Sequence, residues 1–284
     1  MSFGTVLRDD FKNTRRSYVV LGVIGVLAAF TGLIVYAVES NHADAFRSLF
    51  DVSFFFFLVL PLILIPLTYL SIAGVRERGS IKHTLGLPNS RAEYVFGKFV
   101  SRASVAVVAV LVATAIAAIL GVALYTNPID PIRFVRFAAV SALFVTSLTG
   151  IFVACSALTK RRSRAMFGVI FAYFVLGPFW FGFLPVVSLE AVVTFIDDVI
   201  GTDLAATALD NITFSSPITA YLAGLEPVYE GVIGNGEYPS IDRNYGGDGD
   251  QLYAKNWYSW LVMAAWGAIP LAVSYVRFRV AELG

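Results

Sequence analysis

Few residues of this 284-residue chain are arranged for catalysis or for binding a cofactor. There is no GxxxxGK[ST] loop, whose backbone amides would hold the phosphates of ATP, and no HExxH zinc motif. The two histidines, His42 and His83, are far apart, and Cys155 is the one cysteine, so no disulfide or CxxC metal site is expected. We therefore predict that this chain has no catalytic residue, no metal site and no cofactor of its own.

The polar residues with the most distinctive spacing lie in a loop over residues 75–98. Reading along this loop, the residues that stand out are Glu77, Gly79, Ser80, Leu85, Leu87, Pro88, Ser90, Arg91, Gly97 and Lys98. Gly79 permits a sharp turn, and Ser80 can cap a short helix that Gly86 and Pro88 then end. The product is a short capped helix, which has the shape of a docking surface for a partner protein.

The same loop also carries the signal for the helix that follows it. Ser90 and Glu93 have the S-x-x-E spacing of a capping box, in which each residue satisfies a backbone amide of the other. A new helix is therefore predicted to begin at about Arg91, and the short helix before it is fixed at both of its ends.

Six charge-free apolar stretches must position this loop, and they cover residues 18–38, 52–74, 103–125, 137–158, 165–189 and 256–276. Each is about as long as the ~20 residues that an α-helix needs to cross ~30 Å of hydrocarbon. The composition agrees, because 57% of residues are hydrophobic, 14% are charged and the mean hydropathy is +0.74. We predict an all-α integral membrane protein, with one six-span membrane domain over residues 18–284.

Basic residues are distributed unequally between the two sides of the membrane. If the N-terminus is cytoplasmic, sixteen of the 21 lysines and arginines lie in inner segments and five lie in outer ones. The outer five are Arg47, Arg133, Arg136, Arg243 and Lys255. Positive charge concentrates in short cytoplasmic loops, so both termini are predicted to be cytoplasmic.

Two segments outside the spans have their own patterns. Residues 1–17 have the spacing of an amphipathic helix that lies in the membrane interface, although a frayed charged leader is the alternative. Residues 190–255 form a long outer segment with eleven acidic residues and two basic ones. Its first part, from Glu190 to Leu209, is predicted to form one or two amphipathic helices, and its second part, from Gly231 to Asp250, is rich in turns.

The absence of Asp, Glu, Lys and Arg from the predicted spans narrows the range of functions that this chain can have. Carriers driven by protons or sodium usually place ionisable groups near the middle of the membrane, because coupling needs such a site. A secondary transporter is therefore disfavoured, and so is an intramembrane enzyme. Prolines inside three of the spans predict kinks, which either shape a translocation path or ease packing.

The loop over residues 75–98 resembles that of the ABC-2-type (type V-like) permeases, the membrane subunits of ABC transporters. Their pattern is E-x-G-[ST], a leucine-rich short helix, L-P-x-S-R, and G-K at the start of the third span. The ten loop residues named above match it. Two features depart from it: Arg78 follows Glu77 where a second acidic residue is usual, and the outer segment is longer. Within the family, the candidate branch is the one related to the permease that serves maturation of nitrous oxide reductase.

The resemblance implies a permease half of an ATP-driven exporter in the plasma membrane. ATP and Mg²⁺ would bind a separate ABC ATPase subunit, which would dock on the loop, with Glu77 and Arg91 as polar anchors. A second permease copy or a paralogue would complete the dimer, surrounded by membrane lipid, with no role for nucleic acid. The cargo is not specified by these residues. The alternatives are a maturation transporter whose outer segment docks a carrier protein, and a membrane scaffold that does not transport.

Overall fold

The computed structural model describes residues 18–39, 44–79, 90–182, 187–201, 209–232 and 255–281. These residues form helices and contain no strand, which confirms the all-α prediction for the described part. In chain order the helices are α1 (Tyr18–Glu39), α2 (Ala45–Thr68), α3 (Ala73–Glu77), α4 (Arg91–Leu124), α5 (Pro131–Leu158), α6 (Arg162–Phe174), α7 (Leu189–Ile200), α8 (Leu209–Thr213), α9 (Pro217–Gly224), α10 (Glu226–Tyr229) and α11 (Asn256–Val280).

Five helical stretches among the described residues are long and apolar enough to cross a membrane. They are α1, α2 with α3, α4, α5 and α11. This establishes a multi-pass membrane protein. Residues 52–74 are not one unbroken helix, because α2 ends at Thr68 and α3 begins only at Ala73.

The stretch predicted as the fifth span, residues 165–189, is not a single regular helix among the described residues. Helix α6 continues as a π-helical turn over Val175–Phe179, which contains Pro178. Proline lacks the N–H that the regular ladder needs, and such turns relieve the mismatch. Gly182 then takes a left-handed conformation with φ of 77°, and a separate helix begins at Leu189 behind the cap of Ser188. The helix is therefore interrupted at a proline for which a kink was predicted, and a second helix begins at the end of this stretch.

Helix α5 is the centre of the bundle. In the most apolar 18 residues of α5, 72% of residues are buried, whereas 28% are buried in the corresponding part of α1 at the periphery. It packs most extensively on α11, where Gly150 and Gly267 bring the two backbones together. A Cβ atom on Gly267 would lie 2.9 Å from the Cα of Ser147, and one on Gly150 would collide with the carbonyl of Gly267. Small residues at this crossing therefore permit the close approach.

Residues 190–255, predicted to form an outer segment, begin within the helix α7, and the amphipathic pattern over Glu190–Leu209 had predicted a helix here. Ser188 accepts a hydrogen bond from the amide of Ala191 and caps the start of α7, while Gly201 ends it with φ of 73°. Phe195 and Val199 on this helix are exposed. The leader at residues 1–17 and the turn-rich part at residues 233–250 lie outside the described residues.

Residues 209–232, which we call the inserted segment, pack into the bundle, and the sequence pattern did not predict this burial. Every residue of α9 is buried. The fully buried Tyr221 stacks on Phe144 of α5 with ring centroids 4.2 Å apart, and its hydroxyl lies 2.9 Å from that of Ser141. Tyr229 donates a hydrogen bond of 3.2 Å to the carbonyl of Leu49. The inserted segment is thus part of the membrane domain's core.

Candidate functional site

The loop predicted to bind a partner begins and ends at one end of the bundle. Here α3, the start of α4, the end of α5, the start of α6 and the end of α11 meet, and we call this region the junction. It has its own apolar cluster, separate from the main core, formed by Ile72, Tyr94, Val95, Val153, Ala157, Leu271 and Phe278. Tyr94 of α4 stacks on Phe278 of α11, with ring centroids 6.2 Å apart. The residues that flank the loop therefore lie in a packed region.

Ser156 of α5 holds the break between α2 and α3. Its hydroxyl oxygen accepts hydrogen bonds from the amides of Ile72 (3.1 Å) and Ala73 (3.0 Å), and it donates to the carbonyl of Tyr69 (2.8 Å). Ser156 is fully buried. The backbone groups freed by the break would otherwise be left in an apolar region at considerable cost. One side chain of α5 thus fixes the break between α2 and α3.

Arg76 of α3 reaches the end of α5. Its guanidinium donates to the carbonyl oxygens of Ala157 (2.9 Å) and Thr159 (3.3 Å), and it lies over the ring of Phe278 at 5.4 Å. The last carbonyls of a helix have no partner within the helix and carry partial negative charge. A cation at this position therefore satisfies and stabilises the C-terminus of α5.

Glu77, the next residue, acts on the start of α6. Its carboxylate accepts a hydrogen bond of 2.8 Å from the amide of Arg162 and lies 3.3 Å from the Nε of the same residue. Free amides at a helix N-terminus favour negative charge. Glu77 therefore supplies the cap that Arg161, the N-cap residue of α6, does not provide.

Arg91 ties α4 to the end of α11. Its Nη1 donates to the carbonyl oxygens of Phe278 (2.9 Å), Arg279 (2.7 Å) and Ala281 (2.9 Å). Arg91 itself follows a complete capping box. Glu93 donates its amide to the Ser90 hydroxyl and accepts from the Ser90 amide through its carboxylate, as predicted.

The structure therefore brings together part of the predicted site. Glu77 and Arg91 both lie at the junction, where each binds a helix end within this chain. Gly79 takes a left-handed conformation with φ of 71°, which fits its predicted role as a turn. The other predicted residues on α4 are Gly97, which is buried, and Lys98, whose ammonium lies 5.8 Å from the ring centre of Tyr94.

Four predicted residues, Ser80, Leu85, Leu87 and Pro88, lie outside the described residues. Two residues of the junction were missed from sequence. Arg76 was counted only as a flanking charge, and Ser156 stands in a charge-free stretch where a serine gives no signal of its partners. No group of three or more His, Cys, Asp or Glu residues that could hold a metal ion occurs in the described ranges.

In a comparison with known protein families, residues 4–283 match the family described as "ABC-2 family transporter protein". A comparison with curated proteins finds no match. Members of this family are membrane subunits of ABC transporters, lack an ATP-binding motif and work with an ABC ATPase subunit, commonly as dimers. Because the match covers nearly the whole chain and confirms the predicted family, the protein belongs to the ABC-2 family of transporters.

Proposed function

We propose that this chain is the permease half of an ATP-driven exporter and that residues 75–98 couple it to a separate ATPase. In this proposal the protein lies in the plasma membrane with six spans, the fifth being the helical stretch over residues 162–181. Both termini are cytoplasmic, and a second copy or a paralogue completes the dimer. The apolar spans favour an apolar or amphipathic cargo.

The observation that supports coupling is the way the loop is anchored. Of the two residues that flank residues 80–89, Gly79 follows α3 and Ser90 caps α4. Through Arg76, Glu77 and Arg91, the same flanks bind the ends of α5, α6 and α11. A partner that displaced this loop would therefore move the ends of five helices together.

The mechanism follows from these contacts. ATP and Mg²⁺ on the partner subunit would supply the energy, and this chain contains the mechanical linkage. The contacts to helix ends are charged hydrogen bonds, which are shorter and stronger than neutral ones. They transmit displacement to whole helices, because a helix moves as a rigid body when its end is held. The spans would then alternate between inward-facing and outward-facing arrangements.

The coupling is tested with Glu77→Lys, Arg91→Glu and Gly79→Val in the full-length permease. We expect each to reduce pull-down of the cognate ATPase and its stimulation in liposomes, while insertion into the membrane is retained. Arg164→Gln, which removes an exposed charge near the start of α6, is the matched control. Normal ATPase binding and stimulation in all three variants would reject the proposed joint. Binding without any ATP-dependent transport by the unmodified protein would favour the scaffold.

The topology is tested by cysteine labelling in a Cys155→Ala background. We expect Ser240→Cys to react with a membrane-impermeant reagent from outside, and Ser163→Cys to react only after permeabilisation. The reason is the partition of basic residues, which puts the segment around Ser163 on the cytoplasmic side. Labelling of Ser163→Cys from outside would overturn the orientation.

A further inference from the structure

At the end of the bundle opposite the junction, a groove of about 480 Å³ opens between α5, the inserted segment and α11. This volume is within the range of about 300–1,000 Å³ that is common for small-molecule sites. One wall is a single face of α5, formed by Arg136, Ala139, Val140 and Leu143. These positions have the i, i+3, i+4, i+7 spacing of one helical stripe. The wall therefore runs about 10 Å along the helix from a cation into apolar surface.

The facing walls are apolar and fixed. The indole N–H of Trp260 donates a hydrogen bond of 3.2 Å to the carbonyl of Gly224, and both residues line the groove. A Cβ atom on Gly224 would lie 3.1 Å from the indole ring, so glycine is what allows the ring to pack there. Among the described residues that line the groove, Arg136 is the one with a charge.

Arg136 differs from its neighbour Arg133, one helical turn earlier. Arg133 donates to the carbonyl of Val228 and lies 3.8 Å from the carboxylate of Asp130. Arg136 is exposed and makes no hydrogen bond or ion pair with any residue that the structure describes. It is also the last charged residue before the charge-free residues 137–158. Arginines at this position of a membrane helix reach the level of the lipid headgroups.

From this geometry we infer that the groove is a binding site for one anionic phospholipid. The phosphate pairs with the guanidinium of Arg136, whose planar donors match phosphate oxygens. An acyl chain lies along Ala139, Val140 and Leu143 against Trp260. This site is a new element beyond the proposed export function, and it does not depend on coupling to an ATPase.

The test uses Trp260 as a reporter in the purified full-length protein in detergent. Lipids with brominated acyl chains quench a tryptophan that they contact, and the difference between the unmodified protein and Trp260→Phe isolates this ring from the other three tryptophans. We expect brominated phosphatidylglycerol to quench Trp260 with about fivefold higher apparent affinity than brominated phosphatidylcholine. One basic residue near a membrane surface contributes a preference of about this size.

Two variants separate the contribution of the lipid headgroup from that of the acyl chain. Arg136→Gln should remove the preference for the anionic lipid, whereas Arg164→Gln, at the opposite end of the bundle, should retain it. Ala139→Phe should fill the groove and abolish quenching of Trp260 by both lipids. Inorganic phosphate should not displace the lipid, because it lacks the acyl chain.

Equal quenching by the two lipids, or a preference that survives Arg136→Gln, would overturn the inference. Full displacement by inorganic phosphate would do the same, since it would leave only an anion site. If Trp260 is not quenched at all and Ala139→Phe instead lowers the dimer fraction in size-exclusion chromatography, the groove is covered by a second copy of the chain.

Discussion

The two ends of the helical bundle are held together by different kinds of contact. At the junction, charged side chains from one loop bind the exposed backbone groups of helix ends, as Arg91 does for α11 and Glu77 for α6. At the other end, the inserted segment is held mainly by burial, aromatic stacking and hydrogen bonds between neutral groups, with Tyr221 at its centre, and Arg133 adds one charged contact to the carbonyl of Val228.

This difference has a consequence for function. Charged contacts to helix ends lie near water and can be rearranged without emptying a core, so the junction suits a region that changes conformation. Burial of a large aromatic ring cannot be reversed locally without leaving a cavity, because interiors are packed at near-crystalline density. The inserted segment is therefore the stable end, against which the junction would move.

The strongest test of this comparison removes the central ring of the inserted segment. Tyr221→Ala should destabilise the protein by about 3–5 kcal/mol, because it creates a cavity beside Phe144 and leaves the Ser141 hydroxyl without this partner. Thermal unfolding in detergent measures the loss. Tyr221→Phe keeps the stack and should cost about 1 kcal/mol. Tyr36→Ala, at an exposed tyrosine of α1, is the control. If Tyr221→Ala and Tyr36→Ala behave alike, the inserted segment does not stabilise the bundle.

The buried hydrogen bonds of Ser156 offer a test at the junction. Ser156→Ala should cost about 1–3 kcal/mol, because the amides of Ile72 and Ala73 lose their acceptor in an apolar region. Ser104→Ala is the matched control, since among the described residues the Ser104 hydroxyl bonds to the Val100 carbonyl of its own helix and to no other element. Thermal unfolding compares the two variants. An equal effect of both would mean that the break between α2 and α3 does not depend on Ser156.

A smaller effect is expected at the capping box. Ser90→Ala should lower stability by about 1 kcal/mol or less, because it removes a cap that is exposed to solvent. Hydrogen exchange of the amides at the start of α4 should rise, while exchange in the inserted segment stays constant. Ser163→Ala, at an exposed serine of α6, should change neither. Faster exchange throughout the protein would contradict a separation between the two ends.

The sequence predicted those features whose partners are close along the chain. The capping box joins residues three positions apart, and the turn at Gly79 depends on one residue's own backbone, so both could be inferred from local spacing. Apolar stretches likewise predicted the long helices, because crossing hydrocarbon requires that composition. The family pattern of the loop was recognisable for the same reason.

Features that depend on distant partners were missed. The hydroxyls of Tyr221 and Ser141 belong to residues 80 positions apart, and Arg91 binds carbonyls at least 187 positions away. Backbone acceptors carry no sequence signal, because every residue has one. The prolines of residues 165–189 predicted a kink, but the π-helical turn and the left-handed Gly182 were not predicted, since an apolar stretch has the same composition whether or not they interrupt it.

The last prediction uses pH to distinguish the two ends. Burial raises the pKa of Glu226 in the inserted segment, and nearby Glu230 raises it further, while a hydrogen bond with Asn256 acts in the opposite direction. A carboxyl whose pKa is higher in the folded state binds its proton more tightly there. Its contribution to stability is therefore fully present below the unfolded pKa of about 4.3 and is lost as the pH rises through the folded value.

Glu226→Gln should therefore reduce the loss of thermal stability that the unmodified protein shows as the pH rises above the unfolded pKa. The reason is that glutamine stays neutral and can still hydrogen-bond with Asn256. Glu190→Gln, at an exposed glutamate of α7, controls for the loss of one negative charge. If Glu226→Gln and Glu190→Gln give the same pH profile, burial of Glu226 does not contribute to the different behaviour of the two ends.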